Sequence, residues 1–172
     1  MYDLTSIHRA ASVADAIAAL ERDPQAVVIA GGSDVLIKIR EGKLAGCRLV
    51  SIHGLDDELA GVKVLEGGDL AIGPLTTFHN VTYDPLIRTH VPVLGEAADM
   101  AGGPQLRAVG TIGGNVCNGV TSADTASTLM AFGARMHVQG PGGWRVVPIE
   151  GWYKGGGKAD VQRAELLCGI VT

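Results

Sequence analysis

The sequence predicts a two-lobed α+β fold from three observations. Short β-branched runs alternate with helix-spaced stretches in the first third of the chain. Pairs of short apolar runs joined by glycine turns recur in the remainder. Each part also holds one Gly-Gly turn behind an apolar run: Val28-Ile29-Ala30-Gly31-Gly32-Ser33-Asp34-Val35, and Val109-Gly110-Thr111-Ile112-Gly113-Gly114-Asn115. With 172 residues the chain can bury a sizeable interior as one domain of two small lobes. The division is expected at about residue 56, giving lobes over residues 1–56 and 57–172.

Taken in order, Ser12 reads as an N-cap with Asp15 in the capping-box position, and about three helical turns follow until Asp23-Pro24 stops them. Ala26 to Ala30 reads as a buried strand, Asp34 to Arg40 as a helix ended by Gly42, and Arg48 to Ile52 as a further strand. The second lobe opens with a hairpin, Val62 to Leu65 and Leu70 to Ile72, turned by Gly67-Gly68. Thr76 or Thr77 caps a helix that Asp84-Pro85 breaks, and Pro92 to Ala101 forms another, closed by Gly102-Gly103-Pro104. Leu106 to Val109 runs into the second glycine turn, and Ser122 or Asp124 caps a helix bearing Leu129. A hairpin over Ala134 to Ile149, a flexible loop at Gly155-Gly156-Gly157-Lys158 and an apolar strand from Glu165 to Val171 complete the chain. The apolar run up to Thr172 reads as an element cut short, as in a fragment.

Composition excludes several classes. Hydrophobic residues at 47% are ordinary for a globular chain, whereas 25 glycines mark many tight turns and close backbone approaches. A formal net charge of −4 argues against nucleic-acid or anionic membrane surfaces. Cys47, Cys117 and Cys168 form no C-x-x-C pair and are too few for a four-thiolate cluster, which points to a reducing, cytoplasmic setting. The five histidines lack metal-ligand spacing, so no metal site is expected. A signal peptide and a membrane span are not expected either.

The chemistry therefore rests on the glycine turns. A Gly-Gly pair lets successive N–H groups form a concave nest that suits a phosphate, and two nests predict a ligand with two phosphates between them. Tight strand-to-helix corners are the alternative reading of both turns. Neither turn is a Walker loop or a G-x-G-x-x-G fingerprint. Ser33 and Thr111 supply hydroxyls, while Asp34 and Asp124 either accept from ribose hydroxyls or cap helices. No nucleophile–base set is visible, so no catalytic residue is assigned and a bound cofactor is expected to supply the chemistry.

Ala30-Gly31-Gly32-Ser33-Asp34-Val35-Leu36 resembles the first flavin motif of the FAD-binding subunits of molybdenum hydroxylases, and Thr111-Ile112-Gly113-Gly114-Asn115 resembles the second. Gly103-Pro104-Gln105-Leu106-Arg107, the run from Asn115 to Asp124 and His8-Arg9-Ala10-Ala11 are most similar to the bacterial xanthine dehydrogenase branch. The resemblance implies the PCMH-type (vanillyl-alcohol oxidase-like) fold, with FAD held between two α+β lobes. It implies that Val28 to Val35 wrap the pyrophosphate from one lobe and Thr111 to Asn115 hold it from the other. Asp124 would lie near ribose or ribitol hydroxyls, with Gly102 and Leu167 beside the ligand. It further implies a molybdenum-cofactor subunit and a [2Fe–2S] subunit as partners, with electrons passing to FAD and on to NAD. Family subunits continue into a lysine-bearing strand and a C-terminal domain that this sequence does not contain. Carbon monoxide, nicotinate and aldehyde dehydrogenase subunits are the alternatives within the family. A free-standing flavin reductase, or a truncated scaffold that no longer binds flavin, are the alternatives outside it.

Overall fold

A computed structural model describes residues 2–172. The chain starts with a strand that the sequence does not announce. β1 (Leu4–Arg9) is almost wholly exposed, so it carries no apolar alternation, and it forms the edge of a parallel three-stranded sheet in the order β1-β3-β2. α1 (Val13–Arg22) follows. The Ser12 side chain accepts from the Asp15 N–H at 3.1 Å, while Asp15 Oδ2 accepts from the Ala11 N–H at 2.9 Å, so the cap works in both directions. β2 (Ala26–Ile29), α2 (Val35–Arg40) and β3 (Cys47–Ser51) complete this unit, with β3 central and parallel to both neighbours. α1 buries Val13, Ala16, Ile17 and Leu20 against it, a face at helical spacing.

α3 (Asp56–Leu59) leads into the second unit. Here Thr76 is buried, and its hydroxyl both accepts from the Gly61 N–H at 2.9 Å and donates to the Gly61 carbonyl at 3.2 Å. β4 (Val62–Val64) and β5 (Leu70–Ile72) form the expected hairpin. Thr77 caps α4 (Phe78–Tyr83) through the Asn80 N–H. The expected break at Asp84-Pro85 is instead a fresh start: the Asp84 carboxylate accepts from the Leu86 and Ile87 N–H groups, and Pro85 opens α5 (Pro85–His90). α6 (Pro92–Asp99) and α7 (Pro104–Arg107) follow. The run before the second glycine turn is therefore a helical turn, not a strand, and Val109 is half exposed.

α8 (Ile112–Asn118) carries the second Gly-Gly pair inside its first turn, so this is not a strand-to-helix corner. α9 (Ala126–Ala131) has Thr125 at its N-cap, and neither Ser122 nor Asp124 caps it. β6 (Arg135–Gly140) and β7 (Gly143–Pro148) pair as a hairpin. Gly155 to Lys158 is not a free loop but the turn between β8 (Tyr153–Gly155) and β9 (Lys158–Ala159). β10 (Leu166–Val171) then enters the middle of an antiparallel five-stranded sheet, in the order β4-β5-β10-β6-β7.

Helices α4, α5, α6, α8 and α9 pack on that sheet. Ile72, Ile87, Leu94, Ile112, Leu129, Met136, Ile149, Trp152 and Ile170 form its fully buried centre. Trp152 satisfies its ring N–H by donating to the Val116 carbonyl at 3.0 Å. A second cluster under the parallel sheet joins Ile17, Leu20, Val50, Leu59 and Leu75 to Ala164 and Leu166, so β10 contributes to both cores.

Candidate functional site

A cleft of about 800 Å³ opens between the two sheets, within the size range of cofactor sites. Its first wall comes from the end of β2 and the turn after it. β2 pleats so that Val28 and Ala30 reach the cleft while Ile29 turns to the other face. Gly31, Gly32, Ser33, Asp34 and Val35 line it in succession. Gly32 has φ +79°, a backbone state that glycine adopts without strain. Among the described residues, the N–H groups of residues 31 to 35 have no protein acceptor, which leaves five successive donors along one wall. Asp34 sits at the N-cap of α2 without a side-chain capping bond, so its carboxylate is available to the cleft.

The opposite wall comes from the second unit. Thr111, Gly113, Gly114, Asn115, Asp124, Gly102 and Leu167 line it, and Ile112 does not, because it is fully buried in the sheet's core. The cleft thus gathers every expected site residue except Ile29 and Ile112. The second nest is not formed. The Ile112 N–H donates to the Thr76 carbonyl, Gly113 to Pro74, Gly114 to the Thr111 hydroxyl, and Asn115 to the Thr111 carbonyl. Those amides are spent on holding α8 in place. Asn115 is also used internally: its Oδ1 accepts from the Thr125 N–H and hydroxyl, and its Nδ2 donates to Asp124 Oδ2 at 3.2 Å. Asp124 is thereby presented at the cleft with its other oxygen unengaged.

The two turns touch. A Cβ at Gly31 would overlap the Val109 carbonyl oxygen, and one at Gly113 would overlap Pro74. Both glycines allow close backbone approach, whereas a Cβ on Gly114 would meet only the Thr111 hydroxyl, at 3.1 Å. Lys38 of α2 donates to Asn118 Oδ1 of α8 at 2.7 Å, a second tie across the cleft.

Sequence reasoning missed further lining residues: Pro74, Phe78, Leu106, Lys154, Lys158 and Glu165 among them. Of these, Lys158 falls in the stretch Gly155-Gly156-Gly157-Lys158, which the sequence marks only as a flexible loop. Its Gly157 N–H donates to the Gly119 carbonyl at 2.8 Å, which pins the β8–β9 hairpin over the end of α8. Glu165 is held by a two-pronged pair with Arg145, at 2.8 and 2.6 Å, and the arginine keeps its carboxyl below the usual carboxylate range. Burial pushes the Cys117 thiol up to about 12, so it lines the cleft as a neutral group and not as a nucleophile. Among the described residues no cluster of His, Cys, Asp or Glu could hold a metal ion, and no helix is long and apolar enough to cross a membrane.

Residues 3–171 match the family described as the FAD binding domain in molybdopterin dehydrogenase. The chain belongs to this family. Over 97% of its length it is 44% identical to a putative xanthine dehydrogenase FAD-binding subunit of Escherichia coli K12, of which it spans 57%. It is 34% identical over 95% of its length to the carbon monoxide dehydrogenase medium chain of Afipia carboxidovorans, of which it spans 56%. Among solved structures it superposes on a chain of carbon monoxide dehydrogenase from Hydrogenophaga pseudoflava, with a TM-score of 0.95 and 28% identity, covering 100% of this chain and 60% of that one. This FAD-binding domain is thus a little over half the length of the curated relatives it matches. The cofactor of the family fits the site. Five free amide donors and apolar lining residues suit a pyrophosphate with a flat ring attached.

Proposed function

We propose that this chain is the FAD-binding, electron-transferring module of a xanthine-dehydrogenase-like molybdenum hydroxylase. The row of unpaired N–H groups at residues 31 to 35, facing an inter-sheet cleft, is the observation that carries the reading. FAD, when bound, supplies the redox chemistry, and the protein supplies binding and electrostatics. In this reading the amides of Gly31 to Val35 neutralise the pyrophosphate, with the Ser33 hydroxyl beside them. Asp34 and Asp124 accept from sugar or ribityl hydroxyls. Thr111 and Asn115 set the second wall, while Phe78, Leu106 and Leu167 keep water from the ring. Lys154 and Lys158 add positive charge to a cleft that otherwise holds the carboxylates of Asp34, Asp124 and Glu165.

In this reading no residue of the chain is assigned a catalytic role, and the protein's part is to bind and orient the cofactor. Electrons arrive from a [2Fe–2S] subunit fed by a molybdenum-cofactor subunit and leave to NAD, in a cytoplasmic complex. The lobes over residues 1–56 and 57–172 divide the work as pyrophosphate cradle and ring-facing wall. The 44% identity to a xanthine dehydrogenase subunit, against 34% to a carbon monoxide dehydrogenase chain, supports the xanthine branch. The test is reconstitution. Purified protein mixed with FAD and desalted is expected to keep a stoichiometric flavin band that NADH bleaches, and to capture an iron–sulfur subunit. Protein that leaves the column colourless refutes the reading.

A further inference from the structure

Arg107 stands behind the cleft wall and does not line it. Its Nη1 donates to the Gly102 carbonyl at 2.8 Å and to the Ala101 carbonyl at 3.4 Å, while its Nε lies 3.3 Å from Asp99 Oδ1. The Arg107 side chain is 18% exposed, and of its two carbonyl contacts the one to Ala101 is partly buried and the one to Gly102 is at the surface. Both peptide groups are trans, so each carbonyl turned toward Arg107 sends the next residue's N–H the opposite way. Those N–H groups belong to Gly102 and Gly103, and among the described residues neither has a protein acceptor. Gly102 lines the cleft and has φ +50°, the left-handed state in which successive N–H groups converge.

We propose that Arg107 is a positioning residue, which fixes the Ala101–Gly103 backbone so that the Gly102 and Gly103 N–H groups meet the acceptor edge of the flavin ring. The inference rests on FAD being the ligand. The surroundings decide between ring and phosphate. Leu106 packs on Gly102, where a Cβ would lie 3.1 Å from its side chain, and Gly110 brings Phe78 against the same stretch. Phe78, Leu106 and Leu167 are apolar members of the cleft lining, and Phe78 and Leu106 both lie against Gly110, close to the Gly102 turn. A flat apolar ring with carbonyl and ring-nitrogen acceptors suits a wall that is apolar except for two donors.

Arg107→Lys keeps the charge but loses the fork that spans two carbonyls, and Arg107→Gln loses both. Affinity for FAD, riboflavin and ADP is measured by titration on the full chain, along with the midpoint potential of bound flavin. Both variants are expected to bind FAD and riboflavin about tenfold more weakly, a loss of about 1.4 kcal/mol, with ADP unchanged. The potential is expected to fall, because the lost donors favour the electron-rich ring. Weakened ADP binding, or an unchanged potential in flavin that does bind, overturns the assignment. The milder Arg107→Lys carries the test if Arg107→Gln does not fold. Wild-type protein that binds no flavin overturns the underlying reading instead, and that result needs no variant.

Discussion

The α-carbon of Gly31 abuts the carbonyl oxygen of Val109, with no room for a methyl group between them. Gly31 and Val109, 78 positions apart along the chain, bring the two glycine motifs against each other at this point. Gly31→Ala must therefore push the turns apart, at about 1–3 kcal/mol of stability. Gly114→Ala meets only a hydroxyl and sits in the first turn of a helix, where alanine is favoured over glycine by about 0.5–1 kcal/mol. Thermal denaturation is expected to show early melting for Gly31→Ala and near-wild-type melting for Gly114→Ala, with FAD affinity reduced in both. Equal melting of the two variants contradicts this division of roles.

Lys38 and Asn118 tie the first sheet's α2 to α8. Lys38→Met is expected to cost about 1 kcal/mol and to weaken FAD binding by loosening the cleft. Asn118→Asp keeps an acceptor for the ammonium and is expected to retain the tie. A double-mutant cycle in which the two substitutions prove additive shows that the pair does not hold the units together.

Trp152 is fully buried and donates to the Val116 carbonyl. Trp152→Phe keeps most of the volume but leaves that carbonyl unpaired, at about 1–3 kcal/mol. Trp152→Ala adds a cavity, for a total of about 3–5 kcal/mol. Denaturant midpoints that rank Phe below Ala run against this ordering.

The Arg145–Glu165 pair predicts a pH dependence. Arg145 holds the Glu165 carboxyl below its unfolded range, so the folded state favours the carboxylate. Its contribution is complete above the ordinary glutamate pKa of 4.5 and is lost as pH falls through the lowered folded value. The gap in melting temperature between wild type and Glu165→Gln is therefore expected to be largest near neutrality and to shrink below about pH 4.5. A gap that grows on acidification contradicts the assignment.

Much of this fold is legible from local chemistry. Ser12 and Thr77 each cap a helix by bonding the N–H three residues on, a contact that residue type and spacing encode, whereas Thr111, expected to offer its hydroxyl to the ligand, also proves to be a cap. β1 is not legible, because an exposed edge strand needs no apolar face, and Leu4–Arg9 pairs with a strand some 40 positions away. At the site, the Gly-Gly motifs mark the walls correctly as neighbours of one cleft. What they cannot disclose is which amides remain free, because that depends on distant carbonyls at Pro74 and Thr76. Ile29 and Ile112 illustrate the same limit: a motif names a segment, but pleat and helix phase decide which side chains face inward.

β10 lies between β5 and β6, which precede it in the chain by about 100 and about 30 residues. A growing chain on the ribosome can form both hairpins of that sheet early, yet each keeps an open inner edge until Leu166–Val171 has emerged. Long-range pairing of this kind slows folding, and the waiting edges can capture other strands in the meantime. Premature termination a few codons before Leu166 is therefore expected to yield aggregates, where loss of an outer strand would leave a smaller sheet still joined through its middle.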